Sequence, residues 1–173
     1  HPEYRRQLQM CIRDRFSAEI KMELIFPCLY SELEGTALPN IVEEISKTKY
    51  LDHIIVGLDK ANENQAKKAW KFFKKLKSPF SILWNDGPKL KELHRELKKK
   101  DLAPNELGKG RNVWYCIGMS IARDTARSVA LHDCDIKTYD RRMLAKLFYP
   151  VVNPLFNFEF CKGYYPRAVS YTH

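Results

Sequence analysis

Apolar residues fall along this chain in two habits, as short unbroken runs and as stripes at helical spacing. Leu38, Ile41, Val42 and Ile45 recur at i, i+3, i+4 and i+7, which predicts a helix opening near Thr36 with Pro39 in its first turn. Ala66, Ala69, Trp70, Phe73 and Leu76 give a second stripe across 62–76, with lysines on the outer face. Leu90, Leu93 and Leu97 mark a charged third helix, and Val113, Trp114, Ile117 and Ile121 a fourth across 112–127. A last helix is expected over 142–148, ahead of Pro150 and Pro154.

Between the stripes stand the runs. Residues 23–26 end at Pro27, residues 52–57 end in Gly57-Leu-Asp59, and residues 80–84 end in the turn Asn85-Asp-Gly-Pro88. Val129, Ala130 and Leu131 show no stripe and read as a central strand covered on both faces, while 157–161 alternates like a half-exposed strand. Strand and helix therefore alternate, which predicts an α/β domain: a mostly parallel, Rossmann-like sheet with helices on both faces.

In such sheets ligands gather outside the carboxyl ends of the strands. There this sequence places carboxylates: Asp59 after the second run, and Asp133 and Asp135 after the Val129 run. Two aspartates two residues apart on an extended chain face the same way, and their oxygens suit a hard divalent ion that keeps positions free for phosphates. A solvated turn or helix cap is the bland alternative, and spacing alone leaves the two even. Gly108-Lys109-Gly110 offers close backbone approach and a compact charge to an anion. Ala103 and Arg111 stand where a Walker A loop needs Gly and Ser or Thr, so a P-loop is excluded, and no G-x-G-x-x-G occurs.

Composition narrows the field. At 173 residues, 45% hydrophobic and 12% aromatic, the chain can bury one domain's core and is not disordered. No apolar run reaches the roughly 18 residues that span a bilayer, so a soluble protein is expected, without membrane contact. Five cysteines, without a C-x-x-C pair, argue against a disulfide framework or a structural zinc site and for a reducing cytoplasm. The net charge of +9 invites a nucleic-acid reading, but Lys67, Lys68, Lys71, Lys74, Lys75 and Lys98, Lys99, Lys100 sit on solvated helix faces. Residues 1–15, with 9–15 resembling translated sequencing adapter, read as a non-native leader, and 169–173 as a non-native tail around a domain spanning 16–168. The leader's four arginines against two acids carry +2, which leaves the body near +7.

Five segments in order, Pro27-Cys-Leu-Tyr-Ser-Glu32, Gly57-Leu-Asp59, Gly108-Lys-Gly-Arg-Asn-Val-Trp114, Leu131-His-Asp-Cys-Asp-Ile136 and Phe160-Cys-Lys-Gly-Tyr-Tyr-Pro-Arg167, resemble the glucosyl-3-phosphoglycerate synthases, and similarly the mannosylglycerate synthases. The resemblance runs from Leu24 to Arg167 and implies a retaining glycosyltransferase of the GT-A fold. It implies that Pro27, Cys28, Leu29 and Glu32 line a uracil or guanine pocket, that Asp59 binds base or ribose, and that Lys109 contacts the nucleotide. Asp133 and Asp135 become the D-x-D motif with Mg²⁺ or Mn²⁺ chiefly on Asp135, and Cys134 contributes its backbone. Ser31 stands where the family usually has a second acid, and Cys134 where it commonly has Ser.

The donor so implied is UDP-glucose or a GDP-sugar, and the acceptor 3-phosphoglycerate or D-glycerate. A homodimer is open to the full-length protein. His53, His94 and His132 read as packing or surface residues, since the family's metal-binding histidine and most of its acceptor site lie beyond the counterpart of Arg167. Lys162, Tyr164, Tyr165 and Arg167 could border that site, and the fragment alone is expected to be inactive. The competing class is a non-catalytic basic domain binding nucleic acid or an acidic partner, with steep salt dependence and no need for Mg²⁺.

Overall fold

The computed structural model of the chain describes residues 2–164. In order they form α1 (Pro2–Cys11), a π-helical turn (Ile12–Phe16), β1 (Met22–Leu29), a 3-10 turn (Tyr30–Glu34), α2 (Ala37–Ser46), β2 (Leu51–Asp59), α3 (Glu63–Phe73), β3 (Phe80–Trp84), α4 (Pro88–Lys99), α5 (Lys109–Arg123), β4 (Ser128–Leu131) and α6 (Arg141–Val152). The four strands make one all-parallel sheet in the order β3-β2-β1-β4. This is the α/β arrangement expected from the alternation.

Alternate residues of β1 and β2 supply two cores. Met22, Leu24, Phe26 and Cys28 of β1, with Ile54, Val56 and Leu58 of β2, pack with the apolar faces of α2, α3 and α6. Ile25 and Ile55 point the other way, onto Cys116 of α5. Both central strands are buried almost throughout, as a doubly covered parallel sheet requires. Helices start where the local chemistry allows: Asn62 accepts from Gln65 N at 2.9 Å while Gln65 returns a bond to Asn62 N at 2.8 Å. Asp140 caps α6 through Arg142 N at 2.8 Å.

Three expectations are corrected. β4 is an edge strand among the described residues, and Val129 and Leu131 are each 46% exposed, because α5 covers β1 and β2 more than β4. Residues 157–161 form no strand: they follow α6 as irregular chain with Phe158 and Phe160 exposed, and they pair with none of the four strands, so the ladder that alternation needs is not made. Pro150 does not end α6, which runs on to Val152. The described part of the expected leader 1–15 lies in α1 and the π turn, which pack against α6 with Ile12 completely buried. Tyr165, Arg167 and the expected tail 169–173 lie outside the described residues.

The amino end of the sheet is closed by a polar cluster. Glu23, fully buried, accepts from Ser120 Oγ at 2.6 Å, Arg123 Nε at 2.9 Å and Thr125 Oγ1 at 3.2 Å, which ties β1 to the far end of α5. His53 of β2 lies on the same face, 2.9 Å from Ser81 Oγ of β3. Burial lowers the His53 pKa, with the nearby Arg123 acting in the same direction. A histidine whose folded pKa lies below its ordinary 6.5 stabilises fully above that pH and loses the contribution as pH falls beneath it. Urea unfolding should therefore show stability declining below pH 6.5, with a shallower decline in His53→Asn; an unchanged slope in the variant would contradict the assignment.

Candidate active site

Chain order and strand order together create one crevice. From β1 the chain steps through α2 to β2 and through α3 to β3 on one side, then returns through α4 and α5 to β4 on the other. The connections thus diverge between β1 and β4, the topological switch point at which loops leave the carboxyl ends of adjacent strands in opposite directions. Those two loops carry Cys28 to Glu32 and His132 to Asp135.

On the β1 side, Glu32 folds back within the 3-10 turn, and its Oε2 accepts from Leu29 N at 2.8 Å. Cys28 Sγ donates to Leu29 O at 3.3 Å. Leu29 pairs in register with Asp59 at the end of β2, and Pro27 with Gly57, so Pro27, Leu29 and Asp59 share one strip of sheet end. Asp59 is only 5% exposed; its Oδ1 accepts from Lys60 N at 3.1 Å, and Lys60 holds a left-handed backbone (φ 53°) that turns the chain out of the strand.

On the β4 side the chain leaves the sheet at His132 and turns at Cys134 and Asp135. The extended geometry expected for the aspartate pair is therefore not adopted; the turn buries Cys134 while Asp133 stays half-buried and Asp135 exposed. The Lys109 ammonium donates to Asp133 Oδ1. Burial raises the Glu32 pKa; the Leu29 N–H and Cys28 hold it down, Asp135 pushes it further up, and Lys109 opposes that. Cys134 is raised well above the ordinary thiol value, first by its hydrogen bond with Cys28 and then by burial. Glu32, Lys109, Asp133, Asp135 and the two thiols thus act on one another across the crevice.

Lys109 reaches it because α5 begins three residues earlier than its apolar stripe suggested. Gly108 precedes the helix at φ 119°, a conformation for which glycine is suited, and Lys109 occupies the first turn at the positive end of the helix. The helix is seated by Asn112, whose Nδ2 donates to Gly57 O at 2.7 Å. A Cβ built on Gly57 would overlap the Asn112 side chain and come within 2.6 Å of Cys116 Sγ. Gly57 is thus a packing requirement as well as part of a motif.

A cleft of about 630 Å³, not lined by Lys109, opens between α4 and α5, bordered by Asn85, Lys91, Arg95, Arg111 and Tyr115. In the sequence Asn85 marks only a turn. It is 7% exposed, neither its amide nitrogen nor its oxygen has a partner, and Arg111 Nε is likewise unpaired. Its backbone N donates to Leu58 O at 2.8 Å, so it stands at the end of β2 next to Asp59 with a buried donor and acceptor unpaired. Its place at a strand's carboxyl end was the available signal. Of the histidines, His53 is buried and bonds Ser81, His94 bonds Tyr115, and His132 is buried with neither ring nitrogen partnered. Lys162 and Tyr164 are exposed on the irregular chain after α6.

No family model matches the chain. A glucosyl-3-phosphoglycerate synthase of Persephonella marina is 43% identical over 153 residues, 88% of this chain and 38% of the relative. One of Methanococcoides burtonii is 37% identical over 145 residues, 83% of this chain and 35% of the relative. This chain is similar to glucosyl-3-phosphoglycerate synthases. It spans little more than a third of the length of these curated relatives. The synthase resemblance extends across the crevice and the sheet that builds it, and it agrees with the resemblance carried by the five short segments.

If Gly57 sets the seat of α5, Gly57→Ala should cost about 3 kcal/mol, the upper range for overpacking. Urea denaturation checks this, and a loss below about 0.5 kcal/mol, the size of an ordinary surface change, would show that the contact is not tight.

Proposed function

We propose that this chain is the nucleotide-sugar-binding part of a metal-dependent, retaining glycosyltransferase that moves glucose from a nucleoside-diphosphate glucose to 3-phosphoglycerate. The observation that carries the reading is the meeting of Lys109, Asp133, Asp135 and Glu32 at the β1–β4 switch point, in a chain similar to two enzymes named for that product. Those names favour glucose over mannose and the phosphorylated acceptor over free glycerate.

The residues fit a hard divalent cation, Mg²⁺ or Mn²⁺. Asp135 is exposed and Asp133 half-buried, so the pair can lend carboxylate oxygens while diphosphate and water complete the shell. Bound there, the ion would serve as a Lewis acid towards the diphosphate. Lys109 can exchange Asp133 for a phosphate oxygen and neutralise the charge that grows on the β-phosphate as the glycosyl bond breaks. Pro27, Leu29 and Glu32 face the base, Asp59 takes base or ribose hydroxyls, and Cys134 contributes its backbone.

Transfer with retention needs either an enzymic nucleophile or attack on the face the phosphate leaves. Cys134 is held protonated by its hydrogen bond with Cys28 and by burial, which makes it a poor nucleophile. The family resemblance implies front-face transfer: the C1–phosphate oxygen bond breaks, the acceptor oxygen bonds C1 on the same side, and its proton passes to the departing phosphate oxygen. The protein contributes position and charge stabilisation.

The basic-domain alternative is weakened by the surroundings of its lysines. Lys67 pairs with Glu63 at 2.7 Å, Lys99 with Glu96 at 2.7 Å, and Lys75 lies over the Phe72 ring. Among the described residues no helix is long and apolar enough to cross a membrane.

Calorimetry with UDP-glucose and Mg²⁺ tests the reading. Binding should disappear on adding EDTA and in Asp135→Ala, and weaken about tenfold in Lys109→Ala, the size of one charge-assisted hydrogen bond. Binding indifferent to EDTA and to Asp135→Ala would overturn the metal assignment. Titration with duplex DNA should show no affinity that fails with rising salt.

A further inference from the structure

The carboxyl ends of β1 and β4 bring together a second set of ligand groups whose chemistry differs from the aspartate pair. Cys28 at the end of β1, Glu32 in the 3-10 turn and Cys134 in the turn after β4 place two sulfur atoms and a carboxylate oxygen all within 4.8 Å of one another. Cys28 is 1% and Cys134 2% exposed, while Glu32 is half-buried and forms the side open to solvent. Sulfur donors do not suit Mg²⁺, which prefers oxygen, but they suit thiophilic ions.

We propose that Cys28, Glu32 and Cys134 form a binding site for a thiophilic divalent cation of the Zn²⁺ or Cd²⁺ class, separate from the oxygen-ligand site of Asp133 and Asp135. Zinc takes thiolate sulfur at about 2.3 Å and carboxylate oxygen at about 2.1 Å, so ligand atoms in a tetrahedral shell lie roughly 3.5 to 3.8 Å apart. The three groups are close enough to reach that spacing by side-chain rotation. Binding would release the two thiol protons to solvent, exchange the Cys28 to Leu29 hydrogen bond for a metal bond, and leave a fourth position for water. Because the ligands come from both loops of the switch point, the ion would fasten the β1 turn to the β4 turn. The site needs neither a nucleotide nor glycosyl transfer to form, although Glu32 and Cys134 also belong to the donor reading, so occupation by a soft ion would compete with the base for Glu32. Without a metal role, the two thiols are small apolar packing groups and Glu32 caps the Leu29 N–H.

The test is a Cd²⁺ titration of the chain in a phosphine reductant, with Cys11 and Cys161, both partly exposed, replaced by Ser. One equivalent of Cd²⁺ should generate the ultraviolet thiolate-to-cadmium charge-transfer band, and a large excess of Mg²⁺ should leave it intact. Cys28→Ser and Cys134→Ser should each abolish one-to-one binding, and Glu32→Gln should weaken it at least tenfold. X-ray absorption of the Zn²⁺-loaded chain with Cys28 and Cys134 intact, which depends on no variant in the site, should count two sulfur ligands. Absence of the band, its survival in either cysteine variant, displacement by Mg²⁺, or a zinc shell without two sulfurs would overturn the proposal.

Discussion

The crevice depends on how closely α5 can approach β2. Gly57 has no side chain, and the Asn112 amide takes the vacated space and donates to the Gly57 carbonyl at 2.7 Å. That contact fixes the height of the helix above the sheet at its carboxyl end, while Ser120 and Arg123 fix the other end on buried Glu23. With both ends pinned, the first turn of α5 has one place to go, and Lys109 arrives beside Asp133. A polar bond within a tight approach costs little here because donor and acceptor are both satisfied once water is excluded.

The second constraint is the divergence of connections between β1 and β4. It sends one loop to each side and leaves between them a concave end into which carboxylates, thiols and an ammonium group converge. The groups are not equivalent. Asp133 is half-buried and pairs with the exposed Lys109, and Asp135 is exposed, an arrangement suited to exchange with phosphate. Cys28 and Cys134 are buried with their sulfurs within 4.8 Å of each other, and Glu32 is occupied by the Leu29 N–H. One crevice thus presents hard oxygen ligands outward and soft sulfur ligands inward.

Much of this was legible before any coordinates. Helical stripes with lysines outside and runs ending in carboxylates dictate alternating elements, and the sheet with its loaded carboxyl end follows. Local signals failed where the answer depended on neighbours. Val129 and Leu131 read as buried because they are apolar, yet burial is decided by what lies across them, and β4 is an edge among the described residues. The alternation of 157–161 needs a partner strand to become a strand. Gly108 could be read as a loop glycine or as the residue before a helix, and only the packing of Asn112 on Gly57 decides for the latter. The proximity of Cys28 to Cys134, 106 positions apart in the numbering, follows from β1 and β4 lying side by side, which no spacing motif announces. Asn85 was hidden by its fitness for a turn.

The most direct test of the central claim is a crystal structure of the chain grown with UDP-glucose and Mn²⁺, recorded at a wavelength where manganese scatters anomalously. The account predicts an anomalous peak at Asp135, diphosphate density between it and the first turn of α5, and the Lys109 ammonium moved from Asp133 to a phosphate oxygen. A nucleotide bound elsewhere, or a manganese peak away from the β1–β4 crevice with Lys109 still on Asp133, would contradict it.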